Sequence, residues 1–317
     1  MLGATRVRTG MSLALMFPGQ GTQHPTMLAW LDHHPEAAAT LKLMEVHLGS
    51  NWRARLGDEA WTSHNRIAQC LLTGLSLAAW QCLAGRMPLP SVIAGYSVGE
   101  LPAFSAAGVF DTEAALSLAR ERADAMERSV AGSDTGLLAV TGRGGEAIAQ
   151  ACRRHGLAVA IELAVDGRVL GGLSSALDQA TLDLSNDGYR CKRLAVQLAS
   201  HTPWMAASVA DFAQRAGVVP FMRPRATLVC NLTGAAVRSE EAIRSALAGQ
   251  LAQPVRWSHC MESIAQRRPR CVLEVGPGST LSKLWNEHHP AVPARSVDEF
   301  RSPDAIAAWV TGTLAAD

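Results

Sequence analysis

The chain has 317 residues, which is enough for one large domain or two moderate domains with a hydrophobic core. Hydrophobic residues make up 48% of it, a share that suits a globular protein and excludes extensive disorder. The 29 Lys and Arg residues almost balance the 28 Asp and Glu residues, so the net charge favours neither nucleic acid nor a membrane as a partner.

Strand-like and helix-like segments alternate in the first part of the chain. Residues 12–17 form a predicted strand that runs into a turn at residues 18–21, and residues 91–95 form the next strand. The spacing of apolar residues predicts helices over residues 98–107 and 112–130. Strands that alternate with helices imply a mostly parallel sheet that is covered on both faces.

One further segment in this part, residues 67–85, contains no charged residue. Polar residues such as Gln69 and Thr73 interrupt its apolar sequence, so we predict a fully buried helix over residues 67–84 rather than a membrane span.

Residues 134–199 follow a different pattern. Four strands and two helices in the order β-α-β-β-α-β predict a small ferredoxin-like subdomain inserted into the larger domain. The dipeptide Asp166-Gly167 favours a tight hairpin turn between the two middle strands. The predicted strands cover residues 135–141, 157–165, 168–172 and 189–198, and the predicted helices cover residues 146–154 and 174–185.

The pattern of the larger domain resumes after this insertion. We therefore divide the chain into a large domain formed by residues 1–131 and 200–317 and a subdomain of residues 132–199. Predicted strands cover residues 226–231 and 270–275, and predicted helices cover residues 203–216, 239–251 and 256–266, with a last helix from Ser279.

The seven cysteines are scattered and odd in number. No Cys-x-x-Cys motif and no Cys/His spacing typical of a zinc site occurs, which argues against a disulfide framework and against a bound metal. We therefore expect free thiols and a cytoplasmic protein.

The segment Gly95-Tyr96-Ser97-Val98-Gly99 has the G-x-S-x-G pattern of a nucleophile elbow. Small neighbours allow a sharp turn between a strand and a helix, and the helix N-terminus then points its N–H groups at a developing oxyanion. The predicted strand before Ser97 and helix after it favour this interpretation. The alternative is an ordinary loop serine that caps the helix.

A catalytic serine needs a base, and His201 is the best candidate among the ten histidines. It lies where the predicted subdomain returns to the large domain, and binding sites favour such junctions. No Asp occupies an obvious triad position, so we expect a backbone carbonyl to orient the imidazole.

Arg120 and Arg122 lie on the predicted helix of residues 112–130. Residues two apart on a helix are separated by about 200° around its axis, so only one of them can face a given pocket. A buried arginine would hold a substrate carboxylate through two hydrogen bonds. The alternative is a solvated helix face on which Arg122 pairs with Glu121 and Asp124.

Six motifs occur in order along nearly the whole chain: FPGQGTQ (17–23), GYSVGE (95–100), Arg122 with Met126, SHTPWM (200–205), QLAQPVRW (250–257) and EVGPG (274–278). Together they resemble the malonyl-CoA:acyl carrier protein transacylases. The resemblance implies an α/β fold, with an α/β-hydrolase-like domain, a mostly parallel sheet and an inserted ferredoxin-like (βαββαβ) subdomain. It also implies malonyl transfer from malonyl-CoA to the phosphopantetheine-type arm of an acyl carrier protein. Coenzyme A thioester is then a substrate, and no permanently bound cofactor is expected.

The resemblance assigns the reaction to a serine and a histidine. Ser97 would attack the malonyl thioester and carry the malonyl group as an ester. His201 would be the general base and then the acid for the leaving thiol, and Gln250 would hold His201 through its carbonyl.

The resemblance also assigns the groups that bind charge. The backbone N–H groups of Gln20 and Val98 would form the oxyanion hole. Arg122 would pair with the free malonyl carboxylate, which would explain why a dicarboxylic acyl group is chosen over acetyl. Gln69 and Asn231 lie in matching segments without an assigned role.

Departures from the family indicate a particular branch. Tyr96 replaces the usual His, Ala123 the usual Gly and Glu127 the usual Gln. The GYSVGE motif looks most like the malonyltransferase (epsilon) subunit of bacterial malonate decarboxylase, which would add the other subunits of that complex as partners. The alternatives are a transacylase of fatty-acid or polyketide synthesis, a serine thioesterase or other hydrolase, and a non-catalytic subunit.

Overall fold

The fold is built around two β-sheets that differ in the direction of their strands. The computed structural model describes residues 12–142, 144–164 and 166–316. Within these ranges, a mostly parallel sheet has six strands and an antiparallel sheet has four. The predicted α/β class with a ferredoxin-like insertion is confirmed.

Strands and helices are numbered in chain order. The strands are β1 (Leu13–Phe17), β2 (Val92–Gly95), β3 (Thr135–Thr141), β4 (Ala158–Ala164), β5 (Gly167–Leu173), β6 (Arg190–Arg193), β7 (Thr227–Val229), β8 (Ala236–Val237), β9 (Cys271–Glu274) and β10 (Ala294–Ser296). The helices are α1 (Pro35–Leu48), α2 (Glu59–Ser63), α3 (Asn65–Ala84), α4 (Glu100–Ala106), α5 (Thr112–Ser129), α6 (Glu146–His155), α7 (Ser174–Asn186), α8 (Ala206–Gly217), α9 (Glu240–Gly249), α10 (Trp257–Ala265), α11 (Thr280–His288) and α12 (Pro303–Ala315).

The larger sheet has the strand order β10-β9-β1-β2-β7-β8, in which only β8 is antiparallel to its neighbour. Every residue of β1 and β2 is buried, which explains why both strands read as uninterrupted apolar runs. Phe17 pairs with Gly95, so the carboxyl ends of these two central strands lie side by side. Ligands of open α/β sheets bind beyond such carboxyl ends.

The smaller sheet has the order β4-β5-β3-β6 and is antiparallel throughout. Side chains alternate along β3: Leu138 belongs to the same buried cluster as residues of α6 and α7, whereas Leu137 belongs to a cluster that includes Val92 and Trp257 of the larger domain. One face of this sheet therefore has its own core and the other rests on the larger domain.

The predicted strand of residues 189–198 is wrong in its second half. Strand β6 ends at Arg193, and the Leu194 N–H makes the last backbone bond to β3, at the Leu137 carbonyl. Val196 and Leu198 pack against the core of the larger domain instead. Their alternating pattern reflects burial against that core rather than pairing in a sheet.

Other sequence predictions lie beyond what the structure describes. Val165 of the predicted second strand and residues 1–11 of the predicted large domain lie outside the described residues. The division of the chain at residues 131 and 199 stays a prediction. Sequence patterns gave no indication of α1, α2 or α12.

Helix α3 is the buried helix that the uncharged segment predicted. It is long and apolar enough to cross a membrane, but most of that apolar stretch is buried inside the protein. It packs against α1, α5 and α4. Burial of a leucine side chain contributes about 1.5–3 kcal/mol, so Leu71, Leu72 and Leu75 make this helix a major part of the core.

Two glycines allow the chain to turn sharply after β2. A Cβ at Gly95 would lie 2.0 Å from the Gly99 carbonyl oxygen, and a Cβ at Gly99 would lie 2.3 Å from the Phe17 carbonyl oxygen. Because the obstructing atoms are backbone atoms, no side-chain movement relieves either clash. The G-x-S-x-G pattern is thus a steric requirement of this turn.

We expect Gly95→Ala to lower the free energy of unfolding by about 1–3 kcal/mol or more, as overpacked core positions do. Gly312→Ala is the matched control, because Gly312 lies on the exposed face of α12, where a Cβ meets no atom within 4 Å. That control should be neutral or raise stability by about 0.5–1 kcal/mol through helix propensity. Urea unfolding of both variants measures the difference, and equal effects would contradict the steric account.

Candidate active site

Ser97 lies just beyond the carboxyl end of β2, at the start of a short 3-10 turn, Ser97–Gly99, that leads into α4. Its φ angle is 55°, in the left-handed region that non-glycine residues seldom adopt. Its side chain is largely buried. Strand, strained turn and helix form the context in which a serine is presented as a nucleophile.

Asn231, in the loop after β7, makes hydrogen bonds to the backbone on both sides of this turn. Its Oδ1 accepts a hydrogen bond from the Ser97 N–H at 2.7 Å, and its Nδ2 donates to the Gly95 carbonyl at 2.5 Å. Asn231 is fully buried. Sequence reasoning noted Asn231 only through its matching segment, because nothing local indicates that it meets a residue 134 positions away.

His201 faces Ser97 from the segment that follows the smaller sheet. Its Nε2 lies 2.7 Å from Ser97 Oγ, and its Nδ1 lies 2.6 Å from the Gln250 carbonyl oxygen. A carbonyl oxygen only accepts, so Nδ1 carries the proton and Nε2 presents its lone pair to the serine hydroxyl. A backbone carbonyl thus holds the imidazole where a triad would use a carboxylate.

The imidazole is neutral at physiological pH. Burial, and next the positive charge of Arg122, lower the pKa of His201 to about 3, against the smaller opposing effect of the hydrogen bond to Gln250. A neutral imidazole in contact with a hydroxyl group has the protonation state that a general base requires.

Arg122 reaches the same serine from α5. Its Nη2 donates to Ser97 Oγ and to Gln250 Oε1, each at 3.4 Å, and its Nη1 donates to Gln69 Oε1 at 2.8 Å. The side chain is buried, and burial lowers the pKa of Arg122 to about 10, which leaves it charged at neutral pH. Among the described residues, no carboxylate forms an ion pair with it and its Nε has no hydrogen-bond partner.

Arg120 points elsewhere. It is partly exposed and pairs with Glu121 at 2.9 Å. Of the two ion pairs that the alternative interpretation assigned to Arg122, the one with Glu121 belongs to Arg120, and Asp124 pairs with Arg66 instead. Arg122 is the arginine that faces Ser97.

An amide network supports the guanidinium. Asn65, at the start of α3, accepts hydrogen bonds from Gln69 Nε2 at 2.8 Å and from Gln20 Nε2 at 3.2 Å. Gln69 in turn accepts from Arg122. Sequence reasoning missed Asn65, because it lies two residues before the uncharged segment of residues 67–85 and belongs to no motif.

The segment after β1 brings Gln20 toward the turn of Ser97. A Cβ at Gly19 would lie 2.7 Å from the Tyr96 carbonyl oxygen, which shows how closely the two backbones approach. The backbone N–H groups of Gln20 and Val98 donate to no acceptor within the described part of the chain. Both are available to a ligand.

Two clefts lie near this region, although Ser97, His201 and Arg122 line neither of them. One has a volume of about 490 Å³ and the other about 450 Å³. Gln20, Ala195 and Val196 line both. Lys192 and His24 line the first, and Asn65 and Glu127 line the second.

Metal ligation finds no support in the described ranges, where no group of three or more His, Cys, Asp or Glu side chains could hold an ion. All seven cysteines lie in these ranges and are free thiols. Burial raises the pKa of Cys70, Cys82 and Cys271, so none of these three is an activated nucleophile.

The geometry as a whole suits covalent acyl transfer. A hydroxyl in contact with a neutral, oriented imidazole can attack a carbonyl carbon, and two free backbone N–H groups beside it can stabilise an oxyanion. The unpaired guanidinium adds a place for a negatively charged group next to the reacting carbon.

Comparison with known proteins agrees with this chemistry. Residues 15–299 match the family described as acyl transferase domain. The malonyl CoA-acyl carrier protein transacylase of Mycobacterium tuberculosis is 33% identical over 305 residues, which cover 93% of this chain and 99% of that protein.

Solved structures show the same fold. The crystal structure of the Mycobacterium tuberculosis MCAT has a TM-score of 0.85 at 32% identity and covers 93% of this chain and 99% of its own. A malonyl-transacylase in complex with its type II PKS acyl-carrier protein has a TM-score of 0.86 at 28% identity, with 96% and 99% covered.

The neutral state of the His201 imidazole leads to a prediction about how the rate of Ser97 acylation depends on pH. Because kcat/KM reports the free enzyme and His201 stays unprotonated well below its ordinary pKa, acylation of Ser97 should not fall with a midpoint near 6.5. The second-order rate of acylation by p-nitrophenyl acetate, measured from pH 5.0 to 7.5, should vary less than about twofold, where an unshifted base would lose about thirtyfold. Ser97→Ala supplies the background rate, and a midpoint between 6 and 7 would contradict the assignment.

Proposed function

The chain belongs to the acyl transferase family, and from this membership we propose that it moves a malonyl group from malonyl-CoA to the thiol of an acyl carrier protein. The observation that carries the proposal is the buried Arg122 guanidinium, with Nη2 3.4 Å from Ser97 Oγ and no carboxylate paired with it among the described residues. In a malonyl thioester, one methylene separates the reacting carbonyl from the free carboxylate, so a cation beside the nucleophile suits that substrate.

In the first half-reaction, Ser97 Oγ attacks the thioester carbonyl while His201 Nε2 takes the hydroxyl proton. The backbone N–H groups of Gln20 and Val98 stabilise the oxyanion of the tetrahedral intermediate. Its collapse breaks the carbon–sulfur bond, and His201 returns the proton to the leaving coenzyme A sulfur. The product is a malonyl ester of Ser97.

The second half-reaction reverses these steps with a new thiol. His201 accepts the proton of the carrier's phosphopantetheine-type thiol, whose sulfur attacks the malonyl ester. The bond between the acyl carbon and Ser97 Oγ breaks, and His201 returns the proton to that oxygen. Free enzyme and malonyl carrier protein result. Gln250 keeps the tautomer of His201 unchanged through both halves, because its carbonyl holds Nδ1–H.

The malonyl carboxylate is selected by Arg122. With an acetyl group in the site, the buried guanidinium keeps only neutral partners and the desolvation of its charge is not compensated. With a malonyl group, it gains a charge-assisted and potentially bidentate pair. The selection acts on the acyl group and not on the coenzyme A portion.

Among the pathways that use this transfer, fatty-acid or polyketide synthesis has the better support. The relatives above are malonyl transacylases, and one was solved with a type II PKS carrier protein. Tyr96, which pointed to malonate decarboxylase, packs edge-on against Trp257 with ring centroids 5.3 Å apart. A residue used in packing gives no information about the carrier. A role as a malonate decarboxylase subunit, partnership with its other subunits and a cytoplasmic location stay predictions.

Substitution of the two arginines tests the basis of selection. Arg122→Ala should lower kcat/KM for malonyl-CoA by about 10²- to 10³-fold, the loss expected when a buried charge pair loses one partner, while transfer from acetyl-CoA persists or rises. Arg120→Ala, on the same helix with a partly exposed side chain, should leave the ratio of the two substrates unchanged. A change of selectivity in Arg120→Ala alone would contradict the assignment of Arg122.

The reaction class is tested with labelled malonyl-CoA, with and without a phosphopantetheinylated carrier protein of fatty-acid or polyketide synthesis. Label should become covalently attached to Ser97 and then pass to the carrier, and Ser97→Ala should carry none. Release of free malonate at the same rate in both cases would indicate a hydrolase instead. A second carrier, from malonate decarboxylase, shows which pathway is preferred through the ratio of the two kcat/KM values.

A further inference from the structure

Glu100 is a buried carboxyl group beside the site with no part in the reaction described above. It is the first residue of α4, three positions after Ser97, and none of its surface is exposed. Its Oε1 accepts a hydrogen bond of 2.6 Å from the backbone N–H of Asn231. Its Oε2 makes no hydrogen bond of normal geometry within the described residues, although it lies in the neighbourhood of the Gln250 side chain.

The bond to Asn231 closes a ring around the nucleophile. The chain runs from Ser97 through the 3-10 turn to Glu100, the carboxyl bonds to the Asn231 backbone, and the Asn231 side chain returns to the Ser97 N–H and the Gly95 carbonyl. Every hydrogen bond in this ring is buried. The backbone position of Asn231 therefore determines where its amide can hold the strained φ of Ser97.

We propose that Glu100 is a positioning residue that acts through Asn231: its carboxyl oxygen fixes the turn so that Ser97 Oγ meets His201 Nε2 below the oxyanion-binding N–H groups. The inference rests on the proposed acyl transfer at Ser97, but the deciding measurement is the reactivity of Ser97 toward a fluorophosphonate, which does not require malonyl transfer.

Position rather than charge is the property that matters. Burial raises the pKa of Glu100 to about 8, against opposing effects of the Asn231 N–H and of Arg122, so the carboxyl is largely protonated at neutral pH. Two further titratable groups near it are the Cys230 and Cys260 thiols, whose pKa values burial raises. A glutamine has the shape and the acceptor oxygen of a protonated glutamate, so it should perform the same positioning role.

A second buried glutamate provides the matched control. Glu274 is also fully buried, and its oxygens accept from the backbone N–H groups of Leu281 and Ser282, at 3.2 and 2.8 Å. It makes no hydrogen bond to Ser97, Asn231 or His201. Loss of its carboxyl should lower stability without displacing the nucleophile.

The experiment compares Glu100→Ala, Glu100→Gln, Glu100→Asp and Glu274→Ala. We expect Glu100→Ala to lower both the rate of Ser97 labelling by a fluorophosphonate and kcat for malonyl transfer by about 10- to 100-fold, since small displacements of reacting groups have effects of this size. KM for malonyl-CoA should change less than about twofold, because Arg122 is untouched. Glu100→Gln should recover the rate to within about threefold, whereas Glu100→Asp, whose carboxyl is withdrawn by one methylene, should stay slow.

Three results would overturn the proposal. In the first, Glu100→Ala is labelled no more slowly than Glu274→Ala at a temperature where both are folded. In the second, Glu100→Gln is labelled as slowly as Glu100→Ala. In the third, Glu100→Asp is labelled faster than Glu100→Gln. If Glu100→Ala does not fold, the order of the Gln and Asp variants decides alone. A wild-type protein that labels with fluorophosphonate but transfers no malonyl group would contradict the proposed function and leave this test valid.

Discussion

The buried positive charge of Arg122 is the constraint on which the rest of the site depends. A guanidinium removed from water is costly unless dipoles or an anion replace its hydration. Here the replacements are neutral: the oxygens of Gln69, Gln250 and Ser97 accept its hydrogen bonds, and no carboxylate within the described ranges pairs with it. In the proposed reaction, the malonyl carboxylate supplies the anion that this charge lacks.

The same charge governs the base. Burial is the larger cause of the lowered pKa of His201, and the nearby cation, which also disfavours protonation of the imidazole, adds to it. In the proposed reaction, a malonyl carboxylate that pairs with Arg122 cancels part of that effect and raises the basicity of the imidazole. A substrate with the correct charge thus improves the base that acts on it, and acetyl does not. Binding selectivity and catalysis are then two results of one electrostatic arrangement.

Local patterns predicted those parts of the site that local sterics determine. Gly95 is required by contacts with the backbone of Gly99 and Glu100, so a short motif reveals it, whereas Gly99 is required by the close approach of the Phe17 backbone of β1. The choice between Arg120 and Arg122 also had a signal in the sequence. Arg122 continues the buried stripe of α5, because it follows Leu118 by four positions and precedes Met126 by four. The role of Asn231 had no such signal, since its contacts with Gly95 and Ser97 join segments that are distant in the chain.

The predicted strand of residues 189–198, which is too long, shows why other parts of the fold could not be predicted from the sequence. Residues 190–198 alternate in a manner typical of a strand, and alternation indicates that one side is buried without showing what buries it. Up to Arg193 the partner is β3, and after Leu194 it is the core of the larger domain. If residues 194–198 had continued in the sheet, Ala195 and Val196 would not line both clefts, and His201 would not lie beside Ser97. Strand pairing ends at Arg193, where the chain leaves β3 and packs against the larger core, and a local alternating pattern does not show this change of partner.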